Sequence, residues 1–339
     1  MAQTMKAMGI SHYKQEKLEE LTLPMPEISA NEVLVEIVAA SINPVDLKIR
    51  DGKLKMLLSY DMPLVLGNDF AGRIVKLGDK VTKFKVGDEV YGRPQKSKIG
   101  TFAEYIGIDQ GDIALKPKNL TFEEAASIPL VGLTSYQALH DIMQVKPGDK
   151  VLIQAGSGGI GTIAIQLAKL MGVYVATTAS NRGKDLVTRL GADQIINYHE
   201  ENFAEVLSDY DDVFDTLGGQ NLMDGFRILK PGGNIVTISG TPNARFGKEY
   251  GVGWFKTMLF SLASFKLTRL EKQYDVNYHF LFMKPSGEQL EILRDYIEDG
   301  KLEPIVDRVF SFEQTQEAVE YSESGHAKGK IIIKITSGA

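Results

Sequence analysis

The stretch Val151-Leu152-Ile153-Gln154-Ala155-Gly156-Ser157-Gly158-Gly159-Ile160-Gly161 decides how this chain is read. Its apolar start has the character of a buried strand, and Ile160–Met171 has the apolar spacing of an amphipathic helix. Between them Gly156, Gly158 and Gly161 satisfy G-x-G-x-x-G. Glycines there permit a tight turn, let backbone approach a pyrophosphate, and let the helix pack closely on the strand. The helix start adds unpaired N–H groups and a positive dipole end. Strand, glycine turn and helix in this order point to a dinucleotide. Gly156, Gly158, Gly159, Ile160 and Gly161 are the candidate pyrophosphate contacts.

Downstream, strands and helices alternate. Strands are expected at Val173–Thr178, Gln194–Asn197, Asp212–Asp215, Asn234–Ile238 and Tyr278–Met283. Helices are expected at Gly183–Leu190, Asn202–Leu207 and Leu222–Leu229. Such alternation implies a parallel sheet covered on both faces by helices. A site specific for NADH usually carries Asp or Glu after the second strand, to hold the ribose 2′-hydroxyl. Here the strand ends in Ala179-Ser180-Asn181-Arg182-Gly183-Lys184, with no acid. Ser180, Arg182 and Lys184 instead suit a 2′-phosphate, so the expected cofactor is NADPH. Tyr198, after the third strand, is a candidate for the adenosine end.

Upstream the rhythm is different. Short strands at Val33–Val38, Gly72–Leu77, Val86–Tyr91 and Phe102–Ile106, with turns such as Gly78-Asp79, suggest an irregular barrel-like domain. Pro129–Met143 reads as helical, and Lys330–Ile335 as a strand expected to return to this first domain. Trp254–Phe265 is apolar but carries Lys256 and is too short to cross a bilayer, so a buried or lid helix is expected.

The 339 residues suffice for about two domains. A net charge of −6 without a basic block argues against nucleic acid as partner. The absence of cysteine excludes disulfides and thiolate chemistry and fits a reducing cytoplasm, the expected location. No basic-then-apolar segment opens the chain, so no cleaved signal is expected, and no run suits a membrane span. The five histidines have no metal-ligand spacing, and no metal site is expected.

Several short motifs, in order, resemble the quinone oxidoreductase branch of the medium-chain dehydrogenase/reductase family, particularly its enone and quinone reductases. They are Ile42-Asn43-Pro44-Val45-Asp46, Leu66-Gly67-Asn68-Asp69-Phe70-Ala71-Gly72 and Val86-Gly87-Asp88-Glu89-Val90-Tyr91-Gly92. Gly132-Leu133-Thr134-Ser135-Tyr136, the glycine loop, Asp215-Thr216-Leu217-Gly218 and Gly325-His326-Ala327-Lys328-Gly329-Lys330 continue the series. The resemblance implies an α/β fold with a GroES-like β-rich substrate domain, 1–124 and 284–339. A Rossmann NADPH-binding domain, a doubly wound parallel sheet over 125–283, is inserted in it, with the active site in the cleft between. It also implies that Asn43 and Lys48 stand beside nicotinamide and substrate, and Thr134 near the nicotinamide ribose or phosphates. Ile238 would flank the nicotinamide, and Gly329-Lys330 would close the far side. Relatives are often homodimers, with monomers known.

Zinc-dependent relatives carry Gly-His-Glu where this chain has Gly67-Asn68-Asp69. Without a Lewis acid, an alkoxide is hard to stabilise, whereas a quinone or enone spreads its developing charge by conjugation. The expected activity is zinc-free hydride transfer from NADPH to a quinone or to the C=C bond of an α,β-unsaturated carbonyl. Asn43 and Lys48 would orient the carbonyl, and Tyr60 or Tyr13 is a candidate proton donor. Two alternatives are an enoyl-thioester reductase and a non-enzymatic NADPH-binding protein of sensor or crystallin-like type.

Overall fold

The computed structural model describes residues 3–336 and divides into two compact units. One runs to Leu133 and resumes at Lys284; the other is Thr134–Met283. The sequence places the inner boundary near residue 125 instead. The helix Pro129–Tyr136 spans the observed division.

In the first unit, β1 (Thr4–Ile10) pairs with β2 (Glu19–Pro24) and β4 (Leu64–Val65) in a three-stranded antiparallel sheet. The larger sheet is built on β3 (Glu32–Ile42), whose residues are nearly all buried. Beside it lie β5 (Asp69–Leu77), β6 (Glu89–Gly92), β7 (Tyr105–Asp109) and β8 (Ile113–Leu115). The expected strand at Phe102–Ile106 begins later because Phe102 is occupied elsewhere. Its N–H donates to Leu66 O, and its carbonyl accepts from Met8 N–H.

The second unit holds six parallel strands: β9 (Lys150–Ile153), β10 (Tyr174–Ala179), β11 (Gln194–Asn197), β12 (Tyr210–Asp215), β13 (Leu229–Thr237) and β14 (Asn277–Phe280). Their order is β11-β10-β9-β12-β13-β14. The first strand in sequence is therefore central, and the order reverses between β9 and β12. In open α/β sheets this reversal, at the carboxyl ends of the strands, is where ligands bind. The helix Gly159–Leu170 follows β9 with every residue from Gly161 to Ala168 buried, which fixes the loop before it.

Back in the first unit, β15 (Val306–Ser311) and β16 (Lys330–Lys334) complete the larger sheet, β16 pairing antiparallel with β3. The chain thus returns to the unit where it began. The first unit is thus a GroES-like β-rich domain, and the second, where strands and helices alternate, a Rossmann-type parallel sheet.

Of the two readings of the apolar run, a buried or a lid helix, burial fails: Trp254 is 78% exposed, and Phe265, opening the next helix, 71%.

Candidate functional site

The loop after β9 is shaped by close packing on one side and openness on the other. A Cβ on Gly161 would stand 2.3 Å from Ala155 O and 2.6 Å from Gly156 Cα, and one on Gly156 would stand 2.2 Å from Thr177 Oγ1. Any side chain there would push helix from strand. At Gly158 the only neighbour is Ala155 O at 3.3 Å, so the space in front is open. Ala155 takes left-handed backbone (φ 51°), and its N–H donates to Thr178 Oγ1 at 2.9 Å. Gly158 is the N-cap of Gly159–Leu170, and no side chain caps it. First-turn N–H groups including those of Gly159, Ile160 and Gly161 have no partner within their own helix. This is a cradle for an anion, and it fits a dinucleotide pyrophosphate.

The tip of β10 lies against this loop. A Cβ on Gly183 would come within 2.8 Å of Ser157 Oγ. Arg182 and Lys184 are exposed, and Ser180 is half-buried. Asn181 accepts from Asn197 Nδ2 at 3.1 Å and donates to Glu200 at 3.2 Å. The loops after β10 and β11 are thereby tied together, with Tyr198 58% exposed and its ring centroid 4.3 Å from that of His199. Glu200 is a carboxylate near this tip that sequence reading did not place. Only the fold brings the end of β11 to Asn181.

Across the switch point, Asp215 is fully buried and accepts from Thr237 Oγ1 at 2.5 Å and from Gly218 N–H at 2.8 Å. Thr237 Oγ1 in turn accepts from the N–H groups of Ser239 and Gly240. This bracing fixes the backbone around Ile238, whose own N–H donates to Asp215 O at 3.2 Å. Ile238 is half-buried. Thr134 is buried in the helix Pro129–Tyr136.

The first unit carries a different kind of site. Asp69 Oδ2 accepts from Ser41 Oγ at 2.7 Å and Asn43 Nδ2 at 2.8 Å, with Lys330 Nζ at 3.5 Å. Its Oδ1 accepts from Leu130 N–H at 2.7 Å. Lys330 also donates to Asn43 Oδ1 and to Ile42 O. Asp46 accepts from Asn43 N–H at 2.8 Å and from Asn68 Nδ2 at 2.6 Å, and Asn68 Oδ1 accepts from Arg93 at 2.9 Å. Every one of these side chains is buried. Two carboxylates and two cations balance, which is how such charges are tolerated away from water. Burial, with Asp69 nearby, pushes the Asp46 carboxyl up to about 7. Burial also lowers the Lys330 ammonium and the Arg93 guanidinium from their ordinary values.

Of the residues expected at the site, Asn43 and Lys330 meet in this network. Asn43 directs its side-chain N–H groups to Asp69 and Ser41 O, and its oxygen accepts from Lys330, so in this arrangement it holds neighbours in place rather than offering a free donor. Gly329 has φ 90° and abuts Ile305 O, leading Lys330 inward. Lys48 is half-buried on the helix Pro44–Arg50, which also carries Asp46. Tyr60 Oη donates to Lys96 O at 2.6 Å, and Tyr60 N–H donates to Tyr13 Oη at 3.0 Å, so the two candidate proton donors are neighbours. Asp46 and Asp69 stand in motifs already singled out. Arg93 follows Gly92 without any local signal.

This donor set does not fit zinc. Thiolate is absent from the chain, Asn68 stands at the motif position of a ligand histidine, Asp69 is already paired with Lys330, and Asp46 accepts from Asn68 and Asn43. Among the described residues, no group of three or more His, Asp or Glu is arranged to hold a metal ion. No described helix is long and apolar enough to cross a membrane.

Residues 29–118 match the alcohol dehydrogenase GroES-like domain family, and residues 190–333 the zinc-binding dehydrogenase family. The chain is 34% identical to a 2-methylene-furan-3-one reductase of Solanum lycopersicum, over 97% of this chain and 79% of that one. It is 35% identical to a chloroplastic NADPH-dependent alkenal/one oxidoreductase of Arabidopsis thaliana, over 93% and 75%. The solved quinone oxidoreductase of Coxiella burnetii superposes with a TM-score of 0.84 at 33% identity, covering 98% of this chain and all of that one.

Proposed function

The chain belongs to the quinone oxidoreductase and enone reductase branch of the medium-chain dehydrogenase/reductase family, and on that premise we propose that it reduces quinones or α,β-unsaturated carbonyls with NADPH, without zinc. It is an oxidoreductase that uses a nicotinamide dinucleotide. The reading of NADPH over NADH rests on the tip of β10, where Ser180, Arg182 and Lys184 stand in place of a ribose-binding acid.

The bound cofactor supplies a hydride from nicotinamide C4. Gly159, Ile160 and Gly161 would offer backbone N–H groups to its pyrophosphate, past the open face of Gly158, whose own N–H donates to Ala155 O; Arg182 and Lys184 would neutralise the 2′-phosphate, and Ser180 would donate to it. Tyr198 would cover the adenosine end, while Thr134 and Ile238 would border the nicotinamide. Lys48 orients the carbonyl as a cation, and Tyr60 is the candidate acid, its Oη fixed by Lys96 O. Asn43 and Lys330 act as positioning residues, through the network around Asp69. A conjugated acceptor needs no Lewis acid, because the charge that develops on hydride addition is delocalised.

The test is oxidation of NADPH and NADH by the purified chain with quinones, 2-alkenals, enones and a saturated ketone. Expected are turnover with at least one conjugated class, none with the saturated ketone, and unchanged rates after dialysis against a chelator. Arg182→Ala with Lys184→Ala is expected to weaken NADPH binding about tenfold to a hundredfold and to leave NADH unchanged. Tight NADPH binding with no oxidation by any acceptor would replace an enzyme with a sensor.

A further inference from the structure

Between β13 and β14 the chain forms the helices Trp254–Ala263 and Phe265–Tyr274. Trp254, Met258 and Leu262, spaced i, i+4, i+8, form one stripe, which Phe255 and Phe265 extend. All five are exposed, Leu262 at 67% and Phe255 at 55%. The opposite side is anchored: Phe260 is buried against Phe246, whose ring also packs on Tyr250, Phe280 and Phe282. The apolar face is therefore held outward by an aromatic mount. Monomeric soluble proteins rarely present such a contiguous surface without a partner.

Charge identifies the partner. Residues 238–276, the whole segment between β13 and β14, carry six basic side chains against Glu249, Glu271 and Asp275, a local charge of +3 in a chain whose total is −6. Arg245 and Glu271 pair with each other at 3.7 Å. Lys248, Lys256, Lys266, Arg269 and Lys272 are exposed on these two helices and on the helix before them, Ala244–Glu249. We propose that this face docks the protein on an anionic phospholipid surface, its aromatic and aliphatic side chains entering the headgroup boundary and its lysines and arginine meeting lipid phosphates. Helices that lie in a membrane interface combine these two features. A second copy fits less well, because a two-fold contact through this face would set each basic rim against its own counterpart. The inference goes beyond the proposed reduction and does not depend on it.

Trp254 is the single tryptophan of the chain, so its emission reports on this face directly. The full chain would be titrated with phosphatidylcholine vesicles with and without phosphatidylglycerol, following Trp254 emission and co-sedimentation. Expected are a blue shift and sedimentation only with phosphatidylglycerol, both falling as salt is raised. Lys256→Glu with Lys266→Glu and Arg269→Glu should lower partitioning about a hundredfold. Phe255→Ser with Phe265→Ser keeps the tryptophan and should lower it about tenfold or more. These side chains are exposed, and unchanged circular dichroism verifies that the variants fold. No shift with anionic vesicles overturns the proposal, as does undiminished binding by the charge-reversed variant. A lipid-independent shift that grows with protein concentration and accompanies a doubled mass also overturns it, in favour of a second copy.

Discussion

At the tips of β9 and β10 the recognition surface is mostly backbone, opened by Gly158 and kept tight by Gly156 and Gly161. Around Asp69 it is mostly side chain, drawn from positions 41, 43, 46, 68, 93 and 330, with the Leu130 N–H added. The first arrangement needs only one short segment in the right conformation. The second needs distant segments to arrive together, and each buried charge relies on its partners. The two regions should therefore fail differently when mutated.

The largest effect is expected in the network. Asp69→Ala leaves Ser41, Asn43, Lys330 and Leu130 N–H without their shared acceptor, and should cost about 3–5 kcal/mol in denaturant unfolding. A loss under about 1 kcal/mol would mean the carboxylate is not the hub.

Next comes a contrast within the glycine loop. Gly161→Ala puts a methyl 2.3 Å from Ala155 O and should both destabilise the second unit by about 1–3 kcal/mol and remove measurable dinucleotide affinity. Gly158→Ala meets nothing closer than 3.3 Å, so calorimetry should find weakened NADPH binding with the thermal midpoint nearly unchanged. Equal melting losses in both variants would erase the distinction between packing glycine and approach glycine.

The smallest effect concerns pH. Burial, then Arg245, holds the His279 imidazole down at about 4. Its folded value lies below the unfolded value of 6.5, so between these limits the unfolded chain binds more protons. Its contribution to stability is present above pH 6.5 and is lost as pH falls towards 4. His279→Gln should flatten that part of the stability profile; an unchanged slope would assign it to other groups.

The second unit was largely legible because each strand and helix follows its own local pattern. Gln194–Asn197 forms the strand read from it, and β9, β10 and the helix after the glycine loop differ from expectation by a residue or so. The apolar run at Trp254 suits a buried or a lid helix alike, and its exposure overturns only the buried one. Hydrophobicity measures the tendency to leave water and does not say what the side chain will meet, so a buried helix and an outward-facing stripe look alike. The Asp69 network was half visible, since Asn43 and Lys330 stood out singly while their contact did not.

By itself the sequence determined the two-part fold, the glycine turn and the basic tip of β10, because each rests on periodicity or on conformations that neighbouring residues permit. Only the tertiary structure decided that Asn43 is committed to Lys330 and Asp69, that Asp46 is pushed towards neutrality, and that Trp254 faces outward. Those depend on burial and on contacts between residues as far apart as 43 and 330, and such distances are set when the strands pair.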